Sequence, residues 1–428
     1  MRLRLSTLVV SLVCGATSVA WAQVMTSASG PTLETMSYGL AGISPHNGPI
    51  GAKLGEGALL HLALGADIGY DSNVFYEHYS PHGAAVAHVT PALDLSNGER
   101  DGSVPDGVFY DLGASLTYRE YLSGGDEVRK MRAFNPNLGG LLRFSSRQTL
   151  SLSLSDNFAR TEDPPYSAGA PVITHDRNIG SIELKVAPGG GRIQLLLRYN
   201  NVLDLYETSG YDRYNNMGNE GVLDLSWRWL PKTAFFMQVA QGAVTYLKSD
   251  SGRVASYPFR AMAGMRGLLT EKLGLNLGAG YTNGFYASGD TPSGFGNVVL
   301  VGEIIYNMSL TSKAGLGYRH DFQNSPFIGN FYNMDAVYAA FREYIGGRVA
   351  TAAYGRFENR GYQGLGAQGR TDQVVIAGLT ADYVIQRIFY AGVGYTLTLA
   401  RTNNTAALNN GGVDYTKHLI VARLGVVY

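Results

Sequence analysis

Segments of roughly ten residues that alternate apolar and polar side chains recur from Gly57 to Tyr428, each closed by Gly, Asn, Asp, Ser or Pro. A period of two puts the two sets on opposite faces of an extended strand. Thr149 to Ser155 sets Leu150, Leu152 and Leu154 against Ser151, Ser153 and Ser155. Leu223 to Trp229 puts both tryptophans with two leucines, opposite Asp224, Ser226 and Arg228. No stretch sustains a 3.6-residue period, so helical content should be small. The polar faces carry Asp111, Arg143, Glu183, Lys185, Arg198 and Lys313, charges that a sandwich core would have to bury at more cost than the apolar face returns. One face asks for lipid and the other for water. Lipid offers the backbone no hydrogen-bond partner, so such a sheet must close on itself.

Eighteen such segments can be marked, from 57–70 to 413–428, with 16–18 as the expected range. The fold class expected is all-β, a transmembrane antiparallel up-and-down barrel enclosing a water-filled channel. The links between segments alternate in length. Short ones fall at 145–147, 188–191, 230–232, 269–271, 309–312, 345–347 and 384–386, and longer polar ones at 161–176, 207–215, 322–330, 359–370 and 402–412. Outer-membrane barrels show this asymmetry, with short periplasmic turns and long extracellular loops. The link 97–106 is an exception on the short side. The longest loop, 161–176, contains Pro164-Pro165 and is expected to fold inward as a constriction.

Tyr70, Tyr118, Tyr199, Tyr281, Tyr318, Tyr354 and Tyr395 stand beside polar residues toward the outer ends of their segments, the pattern of an interfacial aromatic girdle. In the last segment Ile420, Ala422, Leu424, Val426 and Tyr428 alternate, and Leu424, Val426 and the terminal Tyr428 resemble the signal read by the barrel assembly machinery. At the other end Arg2 and Arg4, an apolar run from Leu5 to Gly15 and Ala20-Trp21-Ala22 read as a signal peptide over 1–22, cleaved after Ala22. Residues 23–56, rich in Gly, Ser and Pro, read as a flexible periplasmic segment, and 57–428 as the barrel. The expected location is the outer membrane of a Gram-negative bacterium, among outer-membrane lipid and lipopolysaccharide. Cys14, the only cysteine, lies in the leader, so neither disulfides nor thiolate metal sites are expected. The 34 basic and 34 acidic residues balance, which argues against a nucleic-acid partner.

The first segment ends in Tyr70-Asp71-Ser72-Asn73-Val74-Phe75, with Tyr70, Asp71, Asn73, Val74 and Phe75 as the residues that carry a family likeness. This run resembles the opening strand of the beta-barrel porin 2 family. The resemblance implies an outer-membrane barrel, with some relatives encoded beside capsule or exopolysaccharide export systems and supplied by a periplasmic export protein. The rest of the chain resembles that family in size, meander and Tyr-rich strand ends only.

The inward charges are the expected lumen lining: Arg192, Arg198, Asp224, Arg228, Glu303, Arg319, Asp335, Arg356, Asp382 and Arg423. Guanidinium forks pair with carboxylates and suit acidic sugars. Other candidate chemistry is weaker. His78 and His82 are four apart, but Pro81 argues against the helix that a zinc pair would need. Asp71-Ser72-Asn73 and Ser155-Asp156-Asn157 read as turn chemistry before calcium ligands, and Pro188 to Gly191 as a tight turn with no following helix. His175-Asp176 and His320-Asp321 are not accompanied by a Gly-x-Ser-x-Gly elbow, so no enzyme, cofactor or metal is expected. The function expected is a passive porin, with exit of an exopolysaccharide or capsule as the finer reading. A non-specific diffusion porin is the alternative within transport, and a surface enzyme or adhesin the alternative of another class.

Overall fold

The computed structural model describes residues 51–428 apart from 55–56, 98–106, 147–148, 164–171, 249–251, 288–295, 326–330, 365–368, 387 and 405–413. The expected leader and most of the segment 23–56 therefore lie outside the described residues, as does the long link after position 97. Nineteen strands follow one another. They are β1 (Ala52–Leu54), β2 (Ala58–Asp71), β3 (Ala84–Ser96), β4 (Gly107–Tyr121), β5 (Ala133–Ser146), β6 (Leu150–Asp163) and β7 (Ile173–Val186). Next come β8 (Ile193–Tyr206), β9 (Asn216–Leu230), β10 (Thr233–Tyr246), β11 (Phe259–Leu268), β12 (Leu273–Asn283) and β13 (Gly296–Asn307). The last are β14 (Ser312–Asn324), β15 (Phe331–Ile345), β16 (Val349–Gln363), β17 (Thr371–Gln386), β18 (Phe389–Thr402) and β19 (Tyr415–Val427).

From β2 onward every strand pairs antiparallel with the next, and β19 returns to pair with β2, from Leu419 opposite Asp71 to Val427 opposite Ala63. The result is a closed antiparallel barrel of 18 strands. Each of the 18 segments read from alternation falls on one of them. The seam is finished by a feature too short to have a periodicity. Beyond Val427, Tyr428 exchanges backbone hydrogen bonds of 3.0 and 2.8 Å with Leu62. Below that, Ala52–Leu54 pairs with Leu60–Ala58. The free edge that β19 leaves on β2 is thus covered by the preceding chain, which removes unpaired N–H and C=O groups.

Side chains sort by parity, as a pleated sheet requires. On β2 the exposed set is Leu62, Leu64, Ile68 and Tyr70, and on β19 it includes Ile420, Leu424 and Tyr428. The opposite parity carries Asp67 and Asp71 on β2 and Lys417 and Arg423 on β19. That this second face is the concave one follows from contacts that skip strands. Arg266 on β11 reaches Asp224 on β9, Arg423 on β19 reaches Asp382 on β17, and Arg260 on β11 reaches Asp321 on β14. Repeated convergence of this kind along the strands is what the inside of a curved sheet favours. No described helix is long and apolar enough to cross a membrane; the helical pieces are short, Gly125–Arg129 and a turn at Asp212–Tyr214. Pro188 to Gly191 forms the expected tight link. Its three glycines hold φ of +61°, +73° and +75°, where a side chain would be strained.

Several inward tyrosines lie flat on a glycine that faces them across the ladder. Tyr338 covers Gly317, Tyr354 covers Gly378 and Tyr390 covers Gly425. A Cβ at these glycines would come within 2.3, 2.1 and 2.2 Å of the ring. Gly317→Val should therefore lower barrel stability by about 1–3 kcal/mol in a urea titration, the usual cost of forcing volume into a packed site. Gly355→Val, at a position with nothing within 4 Å, should leave the midpoint unchanged.

Candidate functional site

The lumen wall is built from the inward parity of the strands. Of the ten residues expected to line it, Arg198 binds Glu183 at 2.9 Å from Nε, and Asp224 accepts from both guanidinium nitrogens of Arg266 at 2.7 and 3.2 Å. Glu303, fully buried, accepts from Asn276 and from the Tyr338 hydroxyl, each at 2.8 Å. Asp382 and Arg423 form a bidentate pair at 2.6 and 2.7 Å. Arg356 pairs with Glu358 two residues along the same face. Arg319 shares its face with Gly317 and Asp321 on β14. Arg192 and Arg228 stand exposed at the short-turn end, where Arg228 donates to the Gly190 carbonyl.

Two placements differ from expectation. Asp335 points outward, with Val337 on its side of β15, and accepts from the Tyr318 hydroxyl at 2.7 Å and His320 Nδ1 at 2.8 Å. Near a strand end an outward polar residue meets interfacial water, so a charge there does not mark the lumen. Tyr354 faces inward with Arg356 and Glu358 and packs against the Tyr338 cluster. Its strand continues to Gln363, so Tyr354 lies mid-wall and not at the girdle. Tyr70, Tyr118, Tyr199, Tyr281, Tyr318 and Tyr395 do point outward. Tyr70 and Tyr395 both sit opposite Ile420, at one level across three strands.

Residues that charge patterning did not single out contribute a packed part of the wall. Tyr332, Met334, Ala336, Tyr338, Ala340 and Tyr362 form a buried cluster on β15 and β16. Arginines lie over its rings: Arg356 is 5.8 Å from the Tyr338 centroid, Arg360 5.5 Å from Tyr332, and Arg370 5.1 Å from Tyr362. Glu358 holds Arg356 and Arg360 together, and Asp372 holds Arg370. Stacking and ion pairing offset the cost of partly desolvating these guanidinium groups. The two-residue spacing Arg356-Phe-Glu358-Asn-Arg360 was the available signal.

At the long-loop end, the family-like run has a structural task. Val74 and Phe75 are completely buried and pack with Ala84, Val86, Tyr121, Val128 and Met131. The residues after Asp71 thus fold over the mouth against the short helix Gly125–Arg129. Asn73 is the fastener: its amide donates to the carbonyls of Glu77 (2.8 Å) and Thr416 (3.1 Å), and its oxygen accepts from the Glu77 N–H (2.8 Å). Asp71 caps the Asn73 N–H at 3.0 Å and pairs with buried Lys417 at 2.8 Å. Tyr76 meets Tyr415 edge-on at 5.1 Å between centroids, and the Lys417 ammonium sits 4.2 Å from its ring centre. Burial, with Asp163 next in effect, pushes the Tyr76 phenol well above the usual tyrosine range, so it stays neutral. The loop that folds inward is thus 72–83. In the region expected to do so, 161–163 and 173–176 extend β6 and β7, and 164–171 lie outside the described residues.

Elsewhere, His82 pairs with Glu77 at 2.5 Å and the His78 ring bonds the Asp414 carbonyl at 3.0 Å. Among the described residues no three His, Cys, Asp or Glu side chains gather as a metal site.

No family model and no curated protein matches the chain, so the family resemblance rests on the first-strand run alone. Solved structures to which the chain is similar include OccAB3 of Acinetobacter baumannii (12% identity, 87% of this chain, 99% of that one, TM-score 0.48). Others are the siderophore receptor PirA of Acinetobacter baumannii (8%, 88% and 81%, 0.47) and OccK9 of Pseudomonas aeruginosa (10%, 86% and 98%, 0.46).

Asn73→Ala removes the fastener at a cost of about 1–3 kcal/mol. Proteinase K is expected to cut the variant between Ser72 and Gly83 much faster than the parent; equal protection would show that the loop is held by its apolar contacts alone.

Proposed function

We propose that this chain is a passive outer-membrane channel, exported by a leader cleaved after Ala22. The observation that carries the reading is the division of one closed sheet into an apolar exterior and an interior of ion pairs. An exterior of Leu, Ile, Val and aromatic side chains needs lipid, and the paired charges within need water. The short-turn end then faces the periplasm and the long loops face outside. Its partners are outer-membrane lipid, lipopolysaccharide and the assembly machinery that reads the carboxy-terminal strand.

The finer reading is an exit for a secreted polysaccharide. It is supported by the Tyr70 to Phe75 run and by the wall of tyrosine rings and arginine forks on β15 to β17, groups that suit hydroxylated rings and carboxylates. A periplasmic export protein would then deliver polymer, with 23–56 as the candidate docking segment. A non-specific diffusion porin differs in needing no such wall.

Purified protein in planar bilayers should give stepwise, ohmic conductance. Phospholipid hydrolysis without conductance would place it among surface enzymes, and attachment lost on trimming the loops, with conductance spared, among adhesins. In cells, deletion of the gene should trap polymer in the periplasm. Unchanged surface polymer with slower small-solute uptake would favour the diffusion porin.

A further inference from the structure

Five consecutive short turns each carry one exposed cation: Arg192 before β8, Lys232 before β10, Lys272 before β12, Lys313 opening β14 and Arg348 before β16. Arg228, near the end of β9, adds a sixth. They follow one another around half of the barrel's circumference. Adjacent turns are two strand spacings apart, about 10 Å, a little more than the Debye length of about 8 Å at physiological salt, so neighbouring fields are screened but still overlap.

Parity directs these side chains. Arg192 falls on the same parity as inward Leu196 and Arg198, Lys313 as Gly317 and Arg319, Arg348 as Arg356 and Glu358, and Arg228 as Asp224 and Ser226. Lys272 precedes inward Asn276 by four residues. Arg192, Arg228, Lys272 and Lys313 therefore belong to the rim of the lumen and not to the lipid face, whereas Arg348, despite its parity, donates to the hydroxyl of outward Tyr383 at 3.4 Å and stands outside the arc. Their isolation from counter-charge is the second observation. Deeper in the wall, arginines are held by carboxylates: Arg198 by Glu183, Arg266 by Asp224 and Arg423 by Asp382. None of these turn cations forms an ion pair with a described residue, and Glu271 is the one exposed acid among the described residues of these turns. Neutralised charges brace a wall. A row of unneutralised ones attracts something negative.

We propose that this arc is a capture site for a polyanion, a polymer bearing repeated carboxylates, at the lumen entrance on the short-turn side. The inference rests on the channel reading above and names its substrate class. A spacing of about 10 Å between cations suits a flexible chain with charges along its length, because several weak, screened contacts then act together. The arrangement is one-sided. The long-loop end pairs its inward charges, as Lys417 does with Asp71 and Arg260 with Asp321.

The test uses full-length protein in planar bilayers with polygalacturonate, and neutral dextran of equal length as control. Polygalacturonate added on the short-turn side should block current at concentrations at least about tenfold lower than from the other side. Combining Arg192→Gln, Lys272→Gln and Lys313→Gln should abolish that difference, and dextran should show none. Conductance with side-symmetric block, or block unaltered by the triple variant, would overturn the proposal and leave the channel reading intact. Absence of conductance would instead remove the channel reading. The arc is then judged by retention of polygalacturonate on detergent-solubilised barrel, which the triple variant should lose. Unchanged block, together with loss of co-purification with a periplasmic protein in the triple variant, would assign the arc to protein docking and refute polyanion capture.

Discussion

The structure depends on the pairing of its first long strand with its last. Each N–H and C=O left open in lipid costs several kcal/mol, so a sheet with an apolar outer face persists there only if it has no edge. The β2–β19 seam supplies that closure, and its register is set by where both strands run out. Because β19 ends opposite the middle of β2, the remaining edge is met by Ala52–Leu54, which folds back as a hairpin arm. Closure also fixes what each side chain can touch. Curvature brings inward residues two strands apart within reach, and the ion pairs of the wall are built on those convergences.

The interior is not uniform along its axis. Its long-loop half is filled by Val74, Phe75 and Tyr76, by stacked Tyr and Arg side chains, and by carboxylates that neutralise the arginines. Its short-turn rim carries cations without carboxylate partners among the described residues. On the channel reading proposed above, an interior of this form gathers solute at one entrance and narrows at the other. The Asn73 fastener links the two descriptions. It holds the loop that narrows the mouth to the backbone of β19, the strand that closes the barrel.

Strand positions and faces were legible because a period of two is local: Leu150, Leu152 and Leu154 state their face without reference to anything else. Depth was less legible. Tyr354 looked like a girdle residue only if its strand ended nearby, and Asp335 looked lumenal only if charge excluded the outer face, which it does not near a rim. Partners that skip a strand, such as Arg266 and Asp224, depend on register and curvature, which no single segment encodes. The run from Tyr70 to Phe75 was visible as a resemblance, but its physical work was not. An apolar pair inside a polar loop, Val74-Phe75, was the clue that this loop is buried.

The most direct test of the central claim is single-cysteine scanning along β2 in proteoliposomes with a membrane-impermeant maleimide. The account predicts a strict alternation: substitutions at Ala63, Gly65 and Asp67 label through the aqueous interior, whereas those at Leu62, Leu64, Ala66 and Ile68 are protected by lipid. Uniform labelling, or a repeat near 3.6 residues, would contradict it.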